Sequence, residues 1–281
     1  MIRIVINADD LGKDSQVNDK ISEALQNGHI TSSTIMANTE LWDEVHKIID
    51  ANPKASFGVH LNLTEGKALT IQPVFFERGV VDNNNCFTKK IKEVNLNDEE
   101  LQKAVFQEWN AQIKKVVEEQ SITITHLDGH HHIHTQYEFR EILSSLAKKW
   151  HIKYVRSKYI YPQNGVGNIM RAFVSSVFPS FWYSLTASRK NRLFSIIHSY
   201  AETELWRRYM TQHCLMTDYF DSYEHFCHQL TSGCKVTDGK VVELMCHPGH
   251  KSFTKEYEMI ESKVLSHIQD DIEYISYRTL E

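Results

Sequence analysis

The order of apolar and polar residues predicts an α/β fold with a mostly parallel sheet, and three observations carry that reading. Short β-type runs alternate with amphipathic helical segments, seven or eight such runs can be counted, and the chain has 281 residues. That length is close to the roughly 250 residues of a typical (β/α) barrel. A doubly wound open sheet satisfies the same alternation. No linker, internal repeat or low-complexity stretch divides the sequence, so residues 1–281 are expected to form a single domain.

Ile2–Asn7 reads as a compact apolar strand. Lys13–Gly28 follows as a helix, because Val17, Ile21, Ala24 and Leu25 recur at helical spacing and Gly28 is a good stop. A Thr/Ile-rich strand near Thr31–Met36, a helix near Leu41–Ala51 and a strand at Ser56–Leu63 come next. Thr64–Asn97 has little periodicity and carries the turn signal Asn83-Asn84-Asn85, so it reads as a loop or inserted excursion. Asp98–Gln120 is the clearest helix: Leu101, Val105, Trp109, Ile113, Val116 and Val117 make one apolar stripe, capped by Asn97 or Asp98. Further strands are expected near Ile122–Leu127, Ile152–Arg156, Cys214–Thr217, Val241–Met245 and Ile272–Ile275. The aromatic-rich stretch Tyr159–Asn191 matches no pattern.

Composition narrows the partners. A net charge of −5 lacks the clustered basic excess that a phosphate-binding surface needs, so nucleic acid is not expected. The longest apolar-aromatic stretch, Phe173–Thr186, is interrupted by Pro179 and too short to cross a membrane, and no secretory signal opens the chain. The five cysteines form no CxxC pair, which points to a reduced, cytoplasmic protein. Sixteen histidines are unusual, and histidine is the commonest metal ligand.

In a parallel α/β fold, chemistry sits at the carboxyl ends of the strands. The first strand closes in Asn7-Ala8-Asp9-Asp10, the third in Gly58-Val59-His60-Leu61-Asn62, the fourth runs into His126–His134, and the penultimate one closes in Cys246-His247-Pro248-Gly249. Four strand ends thus bring acids and imidazoles to one mouth, as a metal-dependent hydrolase requires. Adjacent carboxylates after a strand should point apart, one to a metal and one to water or substrate; the competing reading, a helix cap, is weakened because Lys13-Asp14-Ser15 is better placed to cap. In His126–His134, extended backbone puts His126, Asp128, His130, His132 and His134 on one face, whereas a helical turn pairs His130 with His134. Cys246 lacks an activating pattern and is not read as a nucleophile. Arg156, closing another strand, either orients Asp9 or the substrate or makes a surface salt bridge.

Together, Asn7-Ala8-Asp9-Asp10-x-Gly12, Gly58-x-His60, Thr125-His126-Leu127-Asp128-x-His130-His131-His132-x-His134 and His247-Pro248-Gly249 resemble the YdjC-like (ChbG-type) carbohydrate deacetylases. The motifs span residues 7 to 249 in the family's order, with departures at Leu11, where an aromatic is common, and at Gly129, where Ser is common. The resemblance implies a distorted (β/α) barrel, assembled as a homodimer, that removes acetyl groups from N-acetylated sugars such as chitooligosaccharides. It implies that Asp10, His60 and His130 hold one divalent metal ion, Mg²⁺ or Zn²⁺, with Asp9 as general base and His247 as acid. Two other readings remain: another metal-dependent barrel hydrolase, such as a phosphoesterase or amidohydrolase, with a dinuclear site, and a non-catalytic metal-binding protein holding several ions through His126–His134 alone.

Overall fold

A computed structural model describes residues 1–158, 201–236, 238–269 and 271–280. Its strands are β1 (Ile2–Leu11), β2 (Ser32–Ile35), β3 (Ser56–Leu61), β4 (His126–Gly129), β5 (Tyr154–Val155), β6 (Tyr219–Ser222), β7 (Val241–Cys246) and β8 (Ile272–Tyr274). Their order is β5-β4-β3-β2-β1-β7-β6, and every pairing between these strands is parallel. One edge of β1 is shared: Ile2–Ile4 pairs with β8, and Asn7–Leu11 with β2.

The sheet is strongly curled. Arg156 directly follows β5, at one end of the order, yet its guanidinium lies 2.7 Å from Asp9 on β1 and 2.6 Å from Glu243 on β7. Four and five strand steps separate those positions, which in a flat sheet would be roughly 20 Å. Tyr154 also bridges in parallel to Leu215, just before β6, drawing the two ends together. The fold is therefore an α/β architecture of the distorted (β/α)-barrel kind, with the ends of all parallel strands at one mouth.

The helices follow the predicted stripes. α1 (Ser15–Gln26) buries Val17, Ile21, Ala24 and Leu25 and is capped by Asp14, whose carboxylate accepts from the Val17 amide. α2 (Trp42–Ala51) buries Val45 and Ile48. After the short helix α3 (Pro73–Glu77), α4 (Glu99–Lys114) is capped by Asp98 and buries Leu101, Val105, Trp109 and Ile113 before a π turn at Lys115–Glu119. Two strand positions shift. The expected strand at Cys214–Thr217 contributes only the Leu215 bridge, while the ladder lies at β6, where Phe220 rather than the half-exposed Leu215 is buried. The fourth strand enters its ladder only at His126. Thr64–Asn97 is indeed an excursion, containing α3 and the antiparallel bridges Lys67–Cys86 and Val81–Phe87. Tyr159–Asn191 lies outside the described residues.

Candidate metal centre

The end of β1 is irregular, and this places two neighbouring acids in one cluster. The register with β2 shifts between Ala8 and Leu11, and Asp10 adopts φ +71°. Simple alternation would have pointed Asp9 and Asp10 apart. The irregularity instead leaves both carboxylates buried, each with an oxygen close to His60. Leu11 meanwhile belongs to the main apolar core.

Asp10 Oδ1 lies 2.8 Å from His130 Nδ1 and 3.3 Å from His60 Nε2. This oxygen is buried without a partner in hydrogen-bond geometry, as expected of a lone pair aimed at a shared point rather than along an N–H. One carboxylate and two imidazoles, all buried with their donor atoms within 4.8 Å of one another, fit a divalent cation. Burial opposes ionisation of Asp10, but His130 and His60 outweigh it and hold its pKa well below the carboxylate range. Burial likewise opposes protonation of His60, yet Asp128 and Asp10 raise its pKa to about 10. His60 Nδ1 is 2.7 Å from Asp128 Oδ1, and Thr34 donates to Asp128 Oδ2 at 2.9 Å. With Nδ1 held by Asp128, Nε2 is the ring nitrogen of His60 that faces Asp10 and is open to an ion.

Of the histidine run, only His130 joins Asp10 and His60. His131 and His132 take positive φ values of 52° and 55°, so the extended alternation breaks. His131 meets the Thr64 hydroxyl, His132 packs against Phe220, and the buried His134 faces the Arg156 carbonyl at 3.2 Å. His126 is buried, stacked on Tyr277 at 3.9 Å, and burial keeps it neutral. The strands approach closely at two glycines: a Cβ on Gly58 would lie 2.6 Å from the His126 carbonyl oxygen, and one on Gly129 2.8 Å from His134 Nδ1.

Asp9 is gripped in bidentate fashion by Arg156, both contacts being 2.7 Å, and Asn7 adds a third donor to Oδ1. Burial raises its pKa, but Arg156 lowers it further and keeps it far below the ordinary value. Arg156 is fully buried and also pairs with Asp128 at 2.8 Å and Glu243 at 2.6 Å. Of its two sequence readings, the structure selects the one in which it orients Asp9. His247, on the far side of β1, is stacked on Phe253, with its Nδ1 3.4 Å from Glu256. Burial opposes its protonation, but Glu256 and Asp9 leave the pKa raised. Burial pushes the Cys246 thiol well above its ordinary value, so it is no nucleophile. Sequence reasoning missed Glu65, Glu243 and Glu256. Glu65 lies in an aperiodic segment, Glu243 inside a strand and Glu256 on a helix, so none stands at a strand end.

Comparisons with known proteins bear on the family and the fold. A family model described as YdjC-like protein matches residues 3–274. A carbohydrate deacetylase of Halalkalibacterium halodurans is 32% identical over 166 residues, 59% of this chain and 68% of the relative. Others of the same description, from Vibrio parahaemolyticus and Clostridium beijerinckii, are 33% and 32% identical over 53% and 54% of this chain. Those two alignments span only 56% and 58% of the relatives' own lengths. An Enterococcus faecalis protein, provisionally described as a cellobiose-phosphate cleavage protein, shares the fold. Its TM-score is 0.68 at 20% identity over 99% of this chain and 98% of its own.

Proposed function

The chain belongs to the YdjC-like family, and from that premise we propose that it is a metal-dependent carbohydrate deacetylase removing acetyl groups from N-acetylated sugars, with chitooligosaccharides such as diacetylchitobiose as substrates. The observation that carries this reading is the buried Asp10 Oδ1 facing ring nitrogens of His60 and His130, with Asp9 beside it and His247 across β1. Asp10, His60 and His130 would hold one divalent ion, and this N/O set suits Zn²⁺ while admitting Mg²⁺. When bound, the ion supplies Lewis-acid polarisation of the acetyl carbonyl and stabilises its developing negative charge.

The chain's own residues handle the protons. Asp9 takes a proton from the attacking water at Oδ2, which accepts one hydrogen bond against two on Oδ1. Arg156 keeps that carboxylate ionised and fixes its direction, at the expense of some base strength. Glu256 and the nearby acids favour the protonated form of His247 against burial, and His247 gives its Nε2 proton to the departing sugar amine. Five free thiols suit a reducing, cytoplasmic setting. Among the described residues, no helix is long and apolar enough to cross a membrane.

The test is acetate release from diacetylchitobiose by protein of measured metal content. Activity should vanish on chelation, return with Zn²⁺ or Mg²⁺, and be absent in D10N and H60Q with loss of the ion. Full activity in chelated protein, or no acetate from any N-acetyl sugar with the ion bound, would refute the proposal.

A further inference from the structure

Glu65 lies outside the three proposed ligands, yet its position is built with care. The Asn62 side chain accepts from the Glu65 amide at 3.2 Å and donates to the Glu65 carbonyl, and Asn38 donates to the same carbonyl at 2.9 Å. Asn62 is itself fixed by Gln112 of α4, which accepts from its amide at 2.9 Å and donates to its carbonyl at 2.7 Å. Farther along the segment, the fully buried Glu108 accepts from the amides of Leu69 and Thr70 and from Gln112. Helix α4 therefore holds Asn62, and Asn62 holds Glu65. The carboxylate so placed meets His130 Nε2 at 2.9 Å and Lys13 Nζ at 3.0 Å.

His130 is thus gripped from both ends of its ring, with Nε2 on Glu65 and Nδ1 2.8 Å from Asp10. A neutral imidazole carries one N–H and one lone pair, and the partner of the N–H decides which nitrogen can ligate. We propose that Glu65 is a positioning residue for His130: by accepting Nε2–H it selects the tautomer whose Nδ1 lone pair faces the ion, and so sets the affinity of the site. Lys13, also 3.8 Å from Asp10 Oδ2, balances the added charge. This inference rests on the metal reading above.

The experiment is competition of a chromophoric chelator for Zn²⁺ against wild type, E65A and E65Q, with ion stoichiometry and the unfolding midpoint of metal-free protein measured alongside. E65A should bind roughly 10–100-fold more weakly with an unchanged midpoint, because the Glu65 side chain is partly exposed. E65Q keeps an acceptor oxygen and should recover most of the affinity. Equal affinity in wild type and E65A overturns the proposal, as does E65Q as weak as E65A. A wild-type stoichiometry of two ions falling to one in E65A also overturns it, since Glu65 would then be a ligand. Absence of any bound ion in wild type sinks the metal reading instead.

Discussion

Replacing Arg156 by Met removes the cation that the buried carboxylates of Asp9, Asp128 and Glu243 share. Its Nε meets Glu243 at 2.6 Å, Nη1 and Nη2 meet Asp9 at 2.7 Å each, and Nη1 meets Asp128 at 2.8 Å. Three charge-assisted hydrogen bonds at about 1.5–3 kcal/mol each would suggest a loss of about 5–9 kcal/mol, before the Asp128 ion pair is added. The abandoned acids can take up protons rather than remain charged, however, so the measured figure for breaking a buried pair, about 3–5 kcal/mol, is the expected one. The pH dependence carries the sign. In the wild type the Asp9 pKa is depressed, so its contribution is present above the unfolded carboxylate pKa and lost as pH falls. In R156M the strongest group lowering the Asp9 pKa is gone, leaving His60 and His247 against burial. Glu243, whose pKa burial already raises, loses the guanidinium too, and the folded pKa values of these two acids then rise above the unfolded ones. Stability is then full at acid pH and declines as pH rises, by about 1.4 kcal/mol per pH unit for each such group. Urea unfolding followed by tryptophan fluorescence should therefore show the gap between the two proteins widest at roughly pH 8 and narrowing toward roughly pH 5. A gap that ignores pH, or one below about 1 kcal/mol, would refute this account of the charge network.

Two further outcomes follow from the geometry. H247A should lower kcat for acetate release by roughly 10²–10⁴. Because the acidic form of His247 is the active one and its pKa is raised, wild-type activity should decline only above the ordinary histidine range, and the variant's pH profile should lack that alkaline limb. An alkaline limb retained in H247A would remove His247 from the acid role. G58A should cost about 1–3 kcal/mol in urea unfolding, since the added methyl meets both the carbonyl oxygen of the neighbouring strand and the fully buried His126 ring. Unchanged stability there would mean that β3 and β4 can part without strain.

The strand ends were legible because parallel strands must be apolar along their length, so a polar residue appearing at the end stands out. Asp9, Asp10, His60 and His247 were found in this way, and His126–His134 by its density of imidazoles. Which histidine of that run reaches Asp10 was not readable, because positive φ at His131 and His132 breaks the alternation that reading relied on. Arg156 was ambiguous for another reason: the curl of the sheet decides whether the end of β5 faces solvent or Asp9, and curl leaves no local pattern. Glu65 could not be found by periodicity at all. Its place is set by side-chain hydrogen bonds from Asn62 and Asn38 within an aperiodic segment. The strand expected at Cys214–Thr217 failed because Leu215 and Met216 are apolar without being strand core, Leu215 being half-exposed.

The turn at Asp10 has one more implication. Left-handed backbone is costly for any residue with a Cβ, of the order of 1–3 kcal/mol in sparsely populated regions, and glycine would relieve it. At this position glycine would also delete the carboxylate at the centre of the cluster. A selection for thermal stability alone would therefore press on the residue the site can least spare. Asp10 is where tolerance to heat and retention of chemistry should be found in direct competition.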